Sequence, residues 1–164
     1  MVKTLVVYYS LTGNTKFIAE TISESLNSDI LELQPVKELK ADSGTKYFWG
    51  GYQATMKIKP KLESYHKNPL DYDLIILGTP VWAWTFSPPI RSFLSKHDLK
   101  GKRVALWTSS AGDGVKAMSR FKDALKDANI IGQISFQDPL QNNPSLAKKK
   151  AIEWANNLIN QYEN

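Results

Sequence analysis

The residues of this chain that can do chemistry gather in three short segments. The first, Ser10-Leu11-Thr12-Gly13-Asn14-Thr15, sets three hydroxyls and a carboxamide around a glycine. At the start of a helix, where unpaired N–H groups carry about half a positive charge, such residues cradle a phosphate. No glycine-lysine-serine/threonine run occurs, so a nucleoside triphosphate held with magnesium fits poorly and a terminal phosphomonoester fits better. Plain capping of the helix by Ser10 or Thr12 accounts for the same residues equally well. The second segment, Thr79-Pro80-Val81-Trp82-Ala83-Trp84, runs on to Pro88-Pro89. Two tryptophans are costly to leave in water, so one of them either packs on a flat aromatic ligand or plugs the end of a sheet. The third, Ser109-Ser110-Ala111-Gly112-Asp113-Gly114, is small enough to bring backbone amides against a ligand.

Other chemistries are excluded by what the sequence lacks. Without cysteine there is no thiol catalysis, disulfide or thiolate metal site, and two histidines cannot build a multi-histidine centre. Ser109 or Ser110 with Asp113 and a histidine would point to a hydrolase triad, but no Gly-x-Ser-x-Gly elbow is present. His97, after Lys96 at a helix end, is expected at the surface, His66 in a loop, and Lys148, Lys149 and Lys150 in solvent. No apolar run approaches ~20 residues, so no membrane span is expected. The opening Met1-Val2-Lys3-Thr4-Leu5 lacks the pattern of a secretory signal, and a cytoplasmic protein is the expectation. The net charge of +5 is local: between residues 36 and 69 seven lysines stand against three acids. With Tyr47, Phe48, Trp49 and Tyr52 among them, these lysines keep a nucleic-acid-binding module as a minor, non-redox alternative.

The three segments need a scaffold to position them. A chain of 164 residues, 42% hydrophobic and 23% charged, is enough for one domain with a real core. Residues 4–9, 72–78 and 104–108 are apolar, β-branched runs expected of strands buried on both faces. Residues 29–33 alternate like a shorter strand, and 130–136 completes a set of five. Between them Ile18, Ile22 and Leu26 mark one helix; Ile90, Phe93 and Leu94, after the paired prolines, mark another. Met118, Phe121, Leu125 and Ala128 mark a third. A last helix begins near Pro144 with Ala151, Ala155, Leu158, Ile159 and Tyr162 inward. Trp107 and Trp154 fall in this periodicity and are expected in the core. The insertion at about 36–69 has no strong period; its 47–59 part reads as a helix weakened by Gly50-Gly51, at about 1 kcal/mol per glycine. Strands alternating with helices imply an α/β parallel sheet with helices on both faces. Each chemical segment follows a strand, so all three lie at one end, where such sheets bind ligands.

The first segment resembles the FMN-phosphate loop of the flavodoxins, Ser/Thr-x-Thr-Gly-x-Thr, with Ser10, Thr12, Gly13 and Thr15 matching and Asn14 in the variable slot. Gly78-Thr79-Pro80-Val81-Trp82-Ala83-Trp84 is similar to the turn that abuts the isoalloxazine ring in a flavodoxin-like subgroup. Ser109, Ser110, Ala111, Gly112 and Gly114 resemble that subgroup's small-residue loop on the ring's other side. The likeness covers the whole chain in element order except the insertion. It implies a flavodoxin-like doubly wound five-stranded sheet in a single domain over 1–164. The strand order 2-1-3-4-5, for which flavodoxin is itself the standing example, comes with the resemblance. It also implies FMN as cofactor, with Trp82 slightly ahead of Trp84 as the stacking residue, and no catalytic side chain, because the flavin carries the electrons.

The chain departs from that pattern in three ways. It is basic where electron-carrying flavodoxins are acidic, and it has no glycine between Thr79 and Pro89 to supply their flipping peptide. The one-electron-reduced flavin is therefore expected to be less favoured than in a dedicated carrier. The third segment also lacks a second stacking tyrosine; Tyr47, Trp49 or Tyr52 could fill that side and make the insertion a lid. Its lysines either form a solvated face or attract an anionic substrate or the 2′-phosphate of NADPH. The expected partner is a redox protein, or NAD(P)H together with a small acceptor such as a quinone.

Overall fold

The computed structural model describes residues 1–37 and 46–163, with the backbone alone of residues 46–48. In chain order the elements are β1 (Thr4–Tyr8), α1 (Asn14–Leu26), β2 (Asp29–Glu32), α2 (Lys46–Thr55), β3 (Leu74–Trp82), β4 (Thr85–Phe86), α3 (Pro88–Lys96), β5 (Arg103–Ser110), α4 (Val115–Ala124), β6 (Asn129–Gln137), α5 (Pro139–Asn142) and α6 (Pro144–Glu163). Parallel pairing runs β2-β1-β3-β5-β6. This is the expected 2-1-3-4-5 order, its fourth and fifth strands being β5 and β6. β4 is an addition, antiparallel to the end of β3.

Alternation along the strands sends side chains to two separate cores. Leu5, Val7, Ile75, Leu77, Val104 and Leu106 face α3 and α4, where Ile90, Phe93, Met118 and Phe121 close the layer. Val6, Tyr8, Leu74, Ile76, Ala105 and Trp107 face α1 and α6. The alanines at 147, 151 and 155, spaced four apart, put a smooth stripe of α6 against that face. Trp107 is fully buried and lies opposite Gly78 of the neighbouring strand; Trp154 packs partly buried on the same core.

Two expectations are corrected. Residues 79–82 are not loop: β3 continues through them because Pro80 stays paired with Ser109 and the chain then doubles back into β4. The buried Thr79 Oγ1 accepts the Ser87 N–H at 2.9 Å and so fastens the base of this hairpin. His97 is half-buried rather than at the surface. Its ring lies 4.7 Å from Phe93, and its Nε2 shares a hydrogen bond of 2.8 Å with the Tyr65 hydroxyl.

Burial first, and the Lys96 charge second, hold the His97 pKa below its ordinary value. The fold thus accepts the neutral ring, and as pH falls the unfolded chain takes up the proton first. His97's contribution is intact above the unfolded value of about 6.5 and declines as pH falls towards the folded value. Melting temperatures at pH 7.5 and pH 5.5 should show this loss. In His97→Gln, which has no such proton, the two temperatures should lie closer together.

The insertion leaves and rejoins the domain through a short antiparallel bridge. Val36 N–H donates to Lys61 O at 2.9 Å, and Glu63 N–H donates to Gln34 O at 2.7 Å, around the paired Pro35 and Leu62. Its helix α2 forms despite Gly50 and Gly51 but ends at Thr55, short of the expected residue 59, with Lys57 turning to φ 55°.

Candidate functional site

The carboxyl ends of β1, β3 and β5 open on a cavity of about 630 Å³, a size that holds a cofactor or drug-sized ligand. Three chain segments far apart in sequence line it: Thr12, Asn14 and Thr15; Pro80, Val81, Trp82 and Ala83; and Ser109, Ser110 and Ala111. A second recess of about 370 Å³ shares Val81, Ala83, Ser110 and Ala111 with it and extends to Trp84, Gly112 and Gly114. Ser10, Gly13 and Thr79 line neither. Ser10 Oγ accepts the Gly13 N–H at 3.2 Å, and Gly13, at φ 101°, makes the left-handed turn into α1 that a side chain would resist.

Leu11 also lines the cavity, as do Gly50, Gly51, Asp138 and Gln141, which lie outside the three chemical segments. Among the described residues, the insertion walls the cavity with Gly50 and Gly51, and Trp49 and Tyr52 are not in the lining. A Cβ on Gly50 would come within 3.1 Å of the Trp82 ring. Trp49 and Tyr52 are instead half-exposed and meet each other edge-on at 6.0 Å; the Tyr47 side chain lies outside the described residues. The β6–α5 connection closes the opposite edge. Gln137 Nε2 donates to Ala111 O at 2.7 Å, Asp138 N–H donates to Ser110 O at 2.9 Å, and Asn14 Oδ1 accepts the Leu140 N–H at 3.1 Å. The Asp138-Pro139 pair was the available signal for a helix start at this point.

Trp82 lines the larger cavity and rests edge-on against Tyr9, with ring centroids 5.6 Å apart. Trp84 is 69% exposed at the rim. Both follow from an unusual turn. Ala83 and Trp84 lie at φ 48° and 57° as the two central residues of the β3–β4 hairpin. That conformation suits Asn-Gly and costs other residues about 1–2 kcal/mol each. Arg120 reaches across from α4 to steady it, donating to Trp84 O at 3.1 Å and Ala83 O at 3.4 Å. A strained turn held from outside is the kind of feature that concentrates at functional sites.

The donors in the larger cavity are neutral. Among the described residues no lysine or arginine lines it, and Asp138 is the charged residue in the lining. Ser109 Oγ is buried there without a hydrogen-bond partner, a state that costs about 1–3 kcal/mol unless a ligand satisfies it. Hydroxyls at a helix N-terminus, a flat indole wall and an unsatisfied buried hydroxyl fit a phosphorylated, planar, hydrogen-bonding ligand. Among the described residues no helix is long and apolar enough to cross a membrane.

Comparison with known proteins agrees with this geometry. Among solved structures, a flavoprotein in complex with FMN from Lactobacillus acidophilus is 28% identical, with a TM-score of 0.72 over 88% of this chain and 98% of that one. The apo-form of the flavoprotein from the same organism is 30% identical, with a TM-score of 0.64 over 87% and 97%. Oxidised flavodoxin 2 from Bacillus cereus shares the fold at 23% identity, with a TM-score of 0.62 over 98% and 99%. No curated protein matches the chain. The Flavodoxin family model matches residues 3–158, the whole sheet and all but the end of α6, and the chain belongs to the flavodoxin family.

Proposed function

We propose that this protein binds FMN and carries out electron transfer through it. The observation that carries the reading is the convergence of the three chemical segments on one cavity with neutral donors and an unsatisfied Ser109. When bound, FMN supplies one- and two-electron redox chemistry, and the chain holds, orients and shields it. Thr12, Asn14 and Thr15 form the phosphate end, with Ser10 and Gly13 shaping the turn that presents them. Because Asn14 Oδ1 is already engaged by Leu140, its Nδ2 is the group left to donate. Pro80, Val81, Trp82 and Ala83 form one wall of the ring site, with Trp84 at the rim and Thr79 fastening the hairpin behind them. Ser109, Ser110, Ala111, Gly112 and Gly114 present backbone amides to the ring's polar edge. No side chain is needed as acid or base.

A second reading, a reductase, takes its support from α2. A partner protein needs an open approach to the ring, whereas a small molecule needs a walled recess, and the insertion adds a wall. In net terms NAD(P)H and a proton would reduce a quinone to the hydroquinone, leaving NAD(P)⁺. An absorption spectrum of FMN-supplemented protein, taken before and after anaerobic NADPH, separates the readings. Retained flavin bands that bleach within seconds identify a reductase. Bands that persist identify a carrier reduced by a partner protein. A protein that retains no FMN overturns the proposal.

A further inference from the structure

Behind the β3–β4 hairpin lies another groove, of about 620 Å³, that the flavin site does not use. It shares Ala83 and Trp84 with the recess in front, so the strained turn is the partition between the two. Arg91, Arg120 and Lys57 line it, against one acid, Asp123. The ion pairs within 4 Å among the described residues are Lys16–Glu20 and Lys149–Glu153, so none of these three cations has a carboxylate partner among them. Arg91 is the most unusual of them. Its guanidinium lies 4.2 Å over the Phe86 ring, its Nε is buried without a hydrogen-bond partner, and burial lowers its pKa. A half-buried cation with no anion is costly, and the groove beside it is where an anion can reach it. The second wall is the exposed indole of Trp84, which offers a flat face to a ring.

We propose that this groove binds a small ring-bearing oxyanion, a carboxylate or phosphate carried on an aromatic group. The oxyanion pairs with Arg91 and the free guanidinium nitrogens of Arg120, and the ring lies against Trp84. If the FMN reading holds, the occupant sits across the Ala83–Trp84 turn from the flavin site; the binding itself does not rest on that reading. It also gives Arg120 two tasks, since the side chain that meets the anion is the one that pins the Ala83 and Trp84 carbonyls.

The test is calorimetric titration of 2-naphthoate, with neutral 2-naphthamide as control, into protein with and without added FMN. The carboxylate should bind about tenfold or more tightly than the amide, as loss of a charge-assisted hydrogen bond predicts. Arg91→Met, which keeps an apolar stem over Phe86, should sharply reduce that preference while leaving FMN retention unchanged. If FMN is not retained but naphthoate still binds through Arg91, the flavin reading falls and the groove stands. Absence of naphthoate binding, equal binding of the amide, or undiminished binding by folded Arg91→Met overturns the proposal even where FMN is retained.

Discussion

Replacing Gly78 with alanine is expected to take away a large share of the protein's stability. The added Cβ would fall 1.9 Å from Trp107 Cζ2 and 2.0 Å from Cε2, far inside contact distance, and neither partner can yield. Gly78 is in the middle of the parallel sheet, paired on both sides, and Trp107 is fully buried with its ring fixed by the α1–α6 layer. Overpacking of a dense core costs about 1–3 kcal/mol when neighbours can adjust and more when they cannot. The top of that range is a large share of a typical domain's stability of about 5–15 kcal/mol. The melting temperature should drop by about 10 °C or more. Adding Trp107→Leu should restore part of the loss, so that the double variant is more stable than the sum of the two single changes implies. Strict additivity would show that the two side chains do not meet.

Thr12→Asp should do the opposite: leave the fold intact and remove the cofactor. Thr12 is exposed at the mouth of the cavity, one residue before the turn into α1. A carboxylate is well tolerated near a helix N-terminus, so the melting temperature of the apoprotein should barely move. Against a phosphate dianion the same charge is repulsive by several kcal/mol, and FMN affinity should fall by about a hundredfold or more. Riboflavin, which lacks the phosphate, provides the control. Its weaker binding should be nearly unaffected by Thr12→Asp. An equal loss for both flavins would place the phosphate somewhere other than the first segment.

Much of this arrangement was legible because burial leaves a simple trace in sequence. Strands covered on both faces must be apolar throughout, so β1, β3 and β5 stood out, and Ile18 and Ile22 at helical spacing gave α1 its inward face. The hairpin was not legible. Its central pair is Ala83-Trp84 where turn chemistry favours asparagine and glycine, and it is held by Arg120, 36 residues further along the chain. No local rule foresees a turn stabilised from another helix. Gly50 shows the converse. Read locally it weakens α2, whereas in the fold its missing side chain lets the helix come against Trp82. The contribution of Asp138 and Gln141 was hidden because they follow the fifth strand in a stretch with no glycine or hydroxyl cluster. His97 looked superficial because Tyr65, its partner, comes from the insertion, whose path the periodicity does not set.

The short bridge at Pro35 and Leu62 makes the recess a composite of two parts with different freedom to change. The loops after β1 and β5 run from a buried strand straight into α1 and α4, and the turn after β3 runs straight into β4, so altering their length shifts elements packed into the two cores. The excursion between Val36 and Lys61 is clipped at its own neck, and lengthening a clipped loop costs little, since closure entropy grows only with the logarithm of its length. One panel of the chamber is therefore exchangeable and the rest is fixed. Rewriting that cassette would reshape one wall of the cavity while the segments after β1, β3 and β5 keep their places.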